Sequence, residues 1–165
     1  MNKEYVYIGK IVNTHGIKGE LRILSNFEKK ERVFLTKMNL WIGKEKQKET
    51  INTYRKHKEF DMVTLEGYTN INEVLKWKGQ PVYVKREDLH MKEDEYLLND
   101  LIGLEIYEKE EKIGKGKEIV YNKANILLYV EAKKNFYIPI NGNFIKKVDK
   151  KQNKIEVENV KGLIV

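Results

Sequence analysis

The sequence predicts an all-β protein made of two small β-barrels joined by a polar linker, with one short helix in the first barrel. Three observations support this fold class. Short runs rich in β-branched and aromatic residues recur along the 165 residues, with turn-forming residues between them. One segment, residues 70–76, has helical spacing, and one nearly all-polar stretch separates two series of strands. The predicted domains are therefore residues 1–85 and 96–165, with the linker at 86–95.

Strand patterns dominate the first domain, where apolar and polar residues alternate over short runs. The predicted strands are residues 5–12, 21–23, 40–42, 50–58, 62–65 and 82–84. Between the first two strands, the segment 15–19 contains Gly16 and Gly19. Glycine adopts positive φ angles without strain, so this segment predicts a tight loop.

One helix interrupts this series of strands. Asn70 and Glu73 have the spacing of a capping box, and the apolar residues that follow Asn70 form a stripe at helical spacing. These features predict a helix over residues 70–76. Ser25 and Glu28 have the same spacing and predict a second short helix.

The second domain shows strand patterns alone, with turn residues every eight to twelve positions. The predicted strands are residues 96–98, 104–107, 113–121, 126–130, 136–140, 144–148 and 155–157, with turns at 122–125, 141–143 and 150–153. Many short strands with few helices favour barrels over open sheets, because closing a sheet removes its exposed edges.

The positive charge of the chain lies in its first half. Residues 1–85 contain 17 Lys and Arg against 10 Asp and Glu, a net charge of +7, whereas residues 86–165 contain 15 of each. A polyanion would therefore be attracted to the first domain, through a field that salt screens. Basicity of this size also occurs in proteins that bind no RNA.

The composition argues against several classes of protein. The chain has no cysteine, which excludes disulfides, Cys nucleophiles and thiolate zinc sites, and fits a cytoplasmic protein. The N-terminal residues read as the start of a strand, so no signal peptide is expected. His15, His57 and His90 are far apart in the sequence and do not indicate a metal site. We therefore expect no metal, no cofactor and no membrane segment. No catalytic motif indicates an enzyme, although catalytic groups can converge from distant parts of a sequence.

Two basic segments are candidates for binding. In the first, residues 15–22, Lys18 and Arg22 flank glycine-rich backbone that could meet phosphates. The alternative is a β-turn in which the glycines are needed only for their positive φ angles and the segment binds nothing. In the second, residues 55–58, strand alternation sends Arg55 and His57 to one face and Lys56 and Lys58 to the other. A charged edge strand that resists aggregation explains the second segment equally well.

Residues 9–23, which read GKIVNTHGIKGELRI, closely resemble the opening motif of the RimM family of bacterial ribosome maturation factors. Further segments resemble the family in the expected order: residues 65–67, 72–74, 78–84, 95–96, 99–104, 138–140, 148–149 and 162–164. The resemblance covers almost the whole chain. It implies a six-stranded N-terminal barrel followed by a PRC barrel.

The resemblance also implies binding to the free small ribosomal subunit near its head, through a head ribosomal protein and adjacent small-subunit rRNA. The implied role is to assist assembly and rRNA processing without catalysis. By motif, His15, Gly16, Lys18 and Gly19 fall in the N-terminal signature, and Tyr96, Asp100 and Gly103 in the second. The family often has paired tyrosines followed by tryptophan where this chain has Tyr96-Leu97-Leu98. This departure leaves Tyr96 as the lone aromatic residue of that contact.

We therefore expect a monomeric, cytoplasmic maturation factor with two binding surfaces. The candidates for rRNA and ribosome binding are His15, Gly16, Lys18, Gly19, Arg22, Arg55, Lys56 and Lys58. The candidates for binding the ribosomal protein are Tyr96, Leu97, Asp100 and Gly103. The alternative is a general RNA-binding β-barrel protein that does not distinguish ribosomal from other RNA.

Overall fold

The computed structural model describes residues 4–164 and divides into two compact units, Met1–Met91 and Lys92–Val165. The segment 86–95, predicted as a linker, begins with a 3-10 helix at Arg86–Leu89. Leu89 at the end of this helix is 2% exposed, so the polar sequence there still contributes an apolar side chain to a packed interior. None of the helices in residues 4–164 is long and apolar enough to span a membrane.

The first unit contains a closed six-stranded barrel. Its strands are β1 (Tyr5–His15), β2 (Glu20–Leu24), β3 (Asn39–Ile42), β4 (Gln47–His57), β5 (Phe60–Leu65) and β6 (Pro81–Lys85). They pair antiparallel in the order β1-β2-β5-β4-β3-β6, and β6 closes the barrel by pairing with both β1 and β3. Each of these six strands therefore has two neighbours, which is how a closed barrel protects its strand edges.

Alternation along the strands builds the core of this barrel. Leu21 and Ile23 on β2 and Leu40 on β3 are fully buried. Burial of each such side chain contributes roughly 1.5–3 kcal/mol. β1 bends at two bulges, one of which lies between Tyr7 and Gly9. A Cβ at Gly9 would lie 2.7 Å from the Leu24 carbonyl oxygen, so the close approach of β1 and β2 requires glycine there.

The predicted capping box forms as expected. Asn70 Oδ1 accepts a hydrogen bond from the Glu73 backbone N–H (3.3 Å), and Glu73 Oε1 accepts one from the Asn70 N–H (3.1 Å). The helix α1 (Ile71–Val74) is followed by a 3-10 turn at Leu75–Trp77. Val74 is fully buried, but Leu75, which was predicted to belong to the same apolar stripe, is 49% exposed.

The second predicted helix, at Ser25 and Glu28, does not form. The Ser25 hydroxyl donates to the Ile8 carbonyl oxygen of β1 and accepts from the Phe27 N–H at 3.2 Å. The Ser25 hydroxyl is therefore engaged by β1 and by its own turn and does not cap a helix. A short 3-10 helix forms further along the chain, at Lys30–Arg32. A tertiary partner has overridden the local signal.

The second unit contains a barrel-like six-stranded sheet. Its strands are β7 (Glu105–Glu108), β8 (Glu111–Tyr121), β9 (Ile126–Glu131), β10 (Phe136–Pro139), β11 (Ile145–Asp149) and β12 (Lys154–Val157). The order is β10-β9-β8-β7-β12-β11, with β12 parallel to β7 and the other pairs antiparallel. The mostly-β fold class predicted from the sequence is confirmed.

One predicted strand of the second unit is wrong. Residues 96–98 lead into a 3-10 helix at Leu98–Leu101 and are not part of the sheet. Leu101 is fully buried in the core with residues such as Ile106 and Leu128. The apolar residues of this segment therefore reach the core from a 3-10 turn and not from a strand. The predicted turns at 122–125, 141–143 and 150–153 do connect successive strands.

Candidate nucleic-acid interface

The strand order brings the two predicted basic segments together at one end of the first barrel. β5 pairs with β2 on one side and with β4 on the other. The end of β1 and the end of β4 consequently lie close in space, and the ring centroids of His15 and His57 are 6.0 Å apart. Both histidines were found in basic segments of the sequence, but no sequence pattern predicted that their rings would lie close together.

Arg22 on β2 contacts both the end of β1 and the start of β5. Its Nη2 donates to Nδ1 of His15 at 2.8 Å, and its guanidinium carbon lies 5.1 Å from the centre of the Phe60 ring. Arginine can only donate, so the His15 Nδ1 must accept and the ring proton is then on Nε2. The Nε of Arg22 is buried without a hydrogen-bond partner among the described residues. Packing against a histidine and an aromatic ring therefore holds Arg22 in place.

Arg55 is held by a carboxylate. Its Nε and Nη2 each donate to Glu20 at 2.8 Å, which is the two-bond geometry typical of arginine and carboxylates. The hydrogen bond from Arg55 is the main cause that lowers the pKa of Glu20 below its usual value. Much of the Arg55 charge is therefore neutralised within the protein, and its predicted role as a phosphate contact stays a prediction.

Lys56 points to the other face of β4, as strand alternation predicts. Its Nζ lies 3.7 Å from the Asp61 carboxylate, which is 1% exposed. Asp61 also accepts a 2.7 Å bond from Lys30 and a 2.6 Å bond from the Tyr54 hydroxyl. Lys56 therefore contributes to the compensation of a buried charge, and it does not join the cluster that contains His15 and His57.

Lys18 and Lys58 complete the basic end of the barrel. Both are exposed, and neither makes an ion pair within residues 4–164. Lys58 was predicted to share a face with Lys56, but β4 ends at His57 and Lys58 lies in the following turn with a φ angle of +55°, so strand alternation does not apply to it. The pKa of His57 is lowered by burial and by the electrostatic effect of its neighbours Arg55, Lys58, His15 and Arg22. We define the basic cluster as Lys18, Arg22, Lys58, His15 and His57.

The loop that carries Lys18 has a fixed backbone. Gly16 and Gly19 have φ angles of +77° and +87°, which confirms the positive φ predicted for this loop. The Ile71 N–H at the start of α1 donates to the Ile17 carbonyl at 2.9 Å. A Cβ at Gly19 would lie 2.9 Å from the Asn70 carbonyl oxygen. The loop is thus packed against the helix N-terminus, which positions Lys18 at the surface.

The four residues predicted to bind a ribosomal protein form a turn in the second unit. Asp100 accepts a hydrogen bond from the Leu97 N–H at 2.8 Å and thereby closes the 3-10 turn. Leu97 is 4% exposed, whereas Tyr96 is partly exposed and packs against the core of the unit. Burial raises the pKa of the Tyr96 hydroxyl.

Gly103 has a backbone role in the same turn. Its φ angle is +92°, and its N–H donates to the Gly116 carbonyl oxygen at 2.8 Å. Leu97, Asp100 and Gly103 thus form the turn, and Tyr96 is the member of the set with an accessible aromatic ring. Their predicted contact with a ribosomal protein stays a prediction.

Two residues that hold the arginines at this end of the barrel were not identified from the sequence. Glu20 orients Arg55, and Phe60 supports Arg22. Glu20 lies in the opening motif directly after the glycine loop, so its sequence position could have indicated a role at this site. No sequence feature indicated a role for Phe60. Among residues 4–164, no group of three or more His, Cys, Asp or Glu side chains is placed to hold a metal ion.

The two units define a two-domain protein with a RimM-type barrel and a PRC barrel. Residues 6–89 match the RimM N-terminal domain, and residues 93–164 match the PRC-barrel domain. The chain is 36% identical over 164 residues to Ribosome maturation factor RimM of Shouchella clausii (strain KSM-K16), covering 94% of this chain and 95% of that protein. It is also 36% identical over 172 residues to Ribosome maturation factor RimM of Bacillus subtilis (strain 168), covering 99% of each.

The chain belongs to the RimM family of ribosome maturation factors. This membership confirms the resemblance found in the sequence and the expectation of a non-catalytic protein. Among solved structures, the chain is similar to the solution structure of the N-terminal domain of RimM from Thermus thermophilus, with a TM-score of 0.43 and 23% identity over 52% of this chain and 93% of that one. That similarity is too distant to support an argument about the site.

Proposed function

We propose that this protein binds the free small ribosomal subunit near its head, through a head ribosomal protein and the adjacent rRNA, and assists subunit assembly and rRNA processing. The observation that carries the proposal is the basic cluster at the end of the first barrel. Lys18 and Lys58 are exposed there, with no ion pair to any residue that the structure describes. Such cations are free to contact phosphates and to release counterions from RNA.

The cluster suits a phosphate backbone better than a base edge. The Nε2–H of His15 is left to donate once Nδ1 accepts from Arg22. Lysine ammonium groups and a histidine N–H bind phosphate oxygens irrespective of sequence. Contacts of this kind fix the position of the first barrel on folded rRNA without reading its bases.

The neutral second domain would supply the specificity for the ribosome. It carries as many acidic as basic residues, so long-range attraction to RNA is weak there. Tyr96 would be the aromatic contact with the ribosomal protein, presented by the turn that Asp100 and Gly103 hold in shape. An apolar ring with a polar tip is well suited to a protein interface.

Binding would assist assembly through a shift in population. A protein that binds one fold of the subunit head more tightly than the competing folds raises the population of that fold. The largest possible shift equals the difference in binding free energy, so a hundredfold preference shifts the equilibrium by at most about 2.7 kcal/mol. No chemical step by this chain is needed for that effect.

Co-sedimentation tests this proposal. Purified protein is mixed separately with free small subunits, assembled ribosomes and bulk RNA, at low and at moderate salt. The proposal predicts retention on free small subunits that survives moderate salt, because a protein contact adds to the phosphate contacts. Retention on all three fractions that salt abolishes would contradict it.

A general RNA-binding barrel protein is the second candidate, and the phosphate-type chemistry of the basic cluster favours it. Competition with bulk transfer RNA separates the two functions. An excess of transfer RNA should leave a ribosome-specific factor on the subunit, whereas it should displace a general RNA-binding protein.

A further inference from the structure

An aromatic row crosses the outer face of the first barrel, away from the basic cluster. The strand register places Tyr7 of β1 opposite Tyr83 of β6, and Tyr83 opposite Trp41 of β3. The neighbouring residues Val82 and Ile42 point into the core, so the row lies on the opposite, outer side of the sheet. We call Tyr7, Tyr83 and Trp41 the aromatic row.

The rings of the row are held in fixed orientations. Tyr7 and Tyr83 meet edge to face, with centroids 5.9 Å apart and an angle of 72° between the planes. Trp41 meets Tyr5 in the same manner, at 5.9 Å and 64°. Tyr7 is 55% exposed, whereas Trp41 is only 7% exposed. The row therefore has a buried base at Trp41 and an accessible ring at Tyr7.

Lysines surround these rings. The Nζ of Lys46 lies 4.7 Å from the Tyr83 ring centre and 5.3 Å from that of Tyr5. The Nζ of Lys85 lies 5.1 Å from the Trp41 ring centre and also pairs with Glu4 at 3.3 Å. Lys46 makes no ion pair in the part of the chain that the structure describes. Its charge is available to an external anion.

We propose that this face binds unpaired nucleotides of RNA, with a base stacked on Tyr7 and the adjoining phosphate on Lys46. Proteins that bind single-stranded RNA combine exposed aromatic rings with cations that follow the backbone. The row and its lysines provide both in the half of the chain with the net positive charge. The accessible Tyr7 ring contacts Tyr83, and Lys46 lies over the Tyr83 ring, so a base on Tyr7 and its phosphate on Lys46 would occupy neighbouring positions.

This surface goes beyond the proposed function and is independent of it. Tyr7 and His15 lie eight positions apart on β1, which corresponds to about 25 Å of extended strand. A phosphate at the basic cluster and a base on Tyr7 are thus separate contacts. The inference holds whether or not the protein discriminates ribosomal from other RNA.

Fluorescence anisotropy of the full chain with a labelled single-stranded oligoribonucleotide tests the inference, and a duplex of the same sequence serves as the comparison ligand. Stacking on an aromatic ring predicts that Tyr7→Ala weakens single-strand binding roughly tenfold. Tyr7→Phe should keep the affinity within about twofold, because the ring remains. The matched control is Tyr121→Ala, which removes a tyrosine of the second unit that is 59% exposed, and it should change nothing.

A second variant guards against loss of the fold. Lys46→Gln should weaken single-strand binding and lower its salt dependence by about one unit of slope. Unchanged single-strand binding in both Tyr7→Ala and Lys46→Gln would overturn the inference. Equal losses for single strand and duplex would also overturn it, since a general charge effect would then suffice. Normal RNA binding by Tyr7→Ala together with lost subunit retention would assign the face to a protein partner and likewise refute it.

Discussion

The substitution Gly19→Ala tests whether the glycine loop is fixed by its packing against α1. A Cβ at position 19 would lie 2.9 Å from the Asn70 carbonyl oxygen and 3.1 Å from its carbon, both of them backbone atoms. Gly16→Ala is the matched control, because Gly16 has a similar φ angle and a Cβ there would meet nothing within 4 Å. Both variants place alanine at a positive φ angle, but only Gly19→Ala brings a Cβ against the Asn70 backbone.

The expected magnitudes follow from these two contributions. A left-handed backbone conformation costs a non-glycine residue roughly 1–2 kcal/mol, and both variants bear that cost. Crowding a packed backbone adds roughly 1–3 kcal/mol, and only Gly19→Ala bears that. We therefore expect the free energy of unfolding to fall by about 1–2 kcal/mol in Gly16→Ala and by about 2–5 kcal/mol in Gly19→Ala.

Urea unfolding followed by tryptophan fluorescence measures this difference in the correct domain. Both tryptophans, Trp41 and Trp77, are buried and lie in the first unit, so their emission reports on that unit alone. Equal destabilisation in the two alanine variants would refute the reasoning. It would mean that the contact between Gly19 and Asn70 does not hold the loop.

Three further predictions concern the first unit. Burial and neighbouring cations lower the pKa of His57, and a bound phosphate should raise it by stabilising the protonated ring. RNA binding should therefore tighten from about pH 8 to about pH 6 in wild type but not in His57→Ala, as measured by anisotropy. Asn70→Ala should cost about 1 kcal/mol in urea unfolding, because the capping box is lost. Burial and hydrogen bonds to carboxylates raise the pKa of Tyr54 and Tyr68 to about 12, so Tyr54→Phe and Tyr68→Phe should each remove one late step from the alkaline absorbance titration.

Local signals predicted local structure where no tertiary partner competed for the same atoms. The capping box of Asn70 and Glu73 uses only neighbouring backbone, and it formed as predicted. Ser25 and Glu28 have the same spacing, but the Ser25 hydroxyl donates its hydrogen bond to the Ile8 carbonyl oxygen of β1. Local spacing cannot show which of these two segments forms a helix, because the acceptor that engages Ser25 lies 17 residues away in the sequence.

The basic cluster was only partly predictable for a related reason. Its cations were visible as two segments, but their meeting depends on β5 pairing with both β2 and β4. Sequence also does not show which cations are already engaged. Arg55 is bound by Glu20 and Lys56 lies near Asp61, whereas Lys18 and Lys58 have no ion-pair partner in residues 4–164.

The aromatic row was missed because strand aromatics are most often core residues. Tyr7 and Tyr83 occupy alternating positions that fit either face of a sheet. Only the register, which pairs them with each other and with Trp41, shows that they share the outer face. In the second unit, residues 96–98 have strand-like composition, but the Asp100 carboxylate folds them into a turn.

The salt dependence of binding to the free small subunit tests the central claim, that the basic cluster contacts rRNA phosphates. The test variant is Lys18→Gln/Lys58→Gln, and the matched control is Lys123→Gln/Lys134→Gln, which removes two exposed lysines from the second unit. We predict that the slope of log affinity against log salt falls by about two in the test variant and stays unchanged in the control. Equal slopes for wild type and the test variant would contradict the claim.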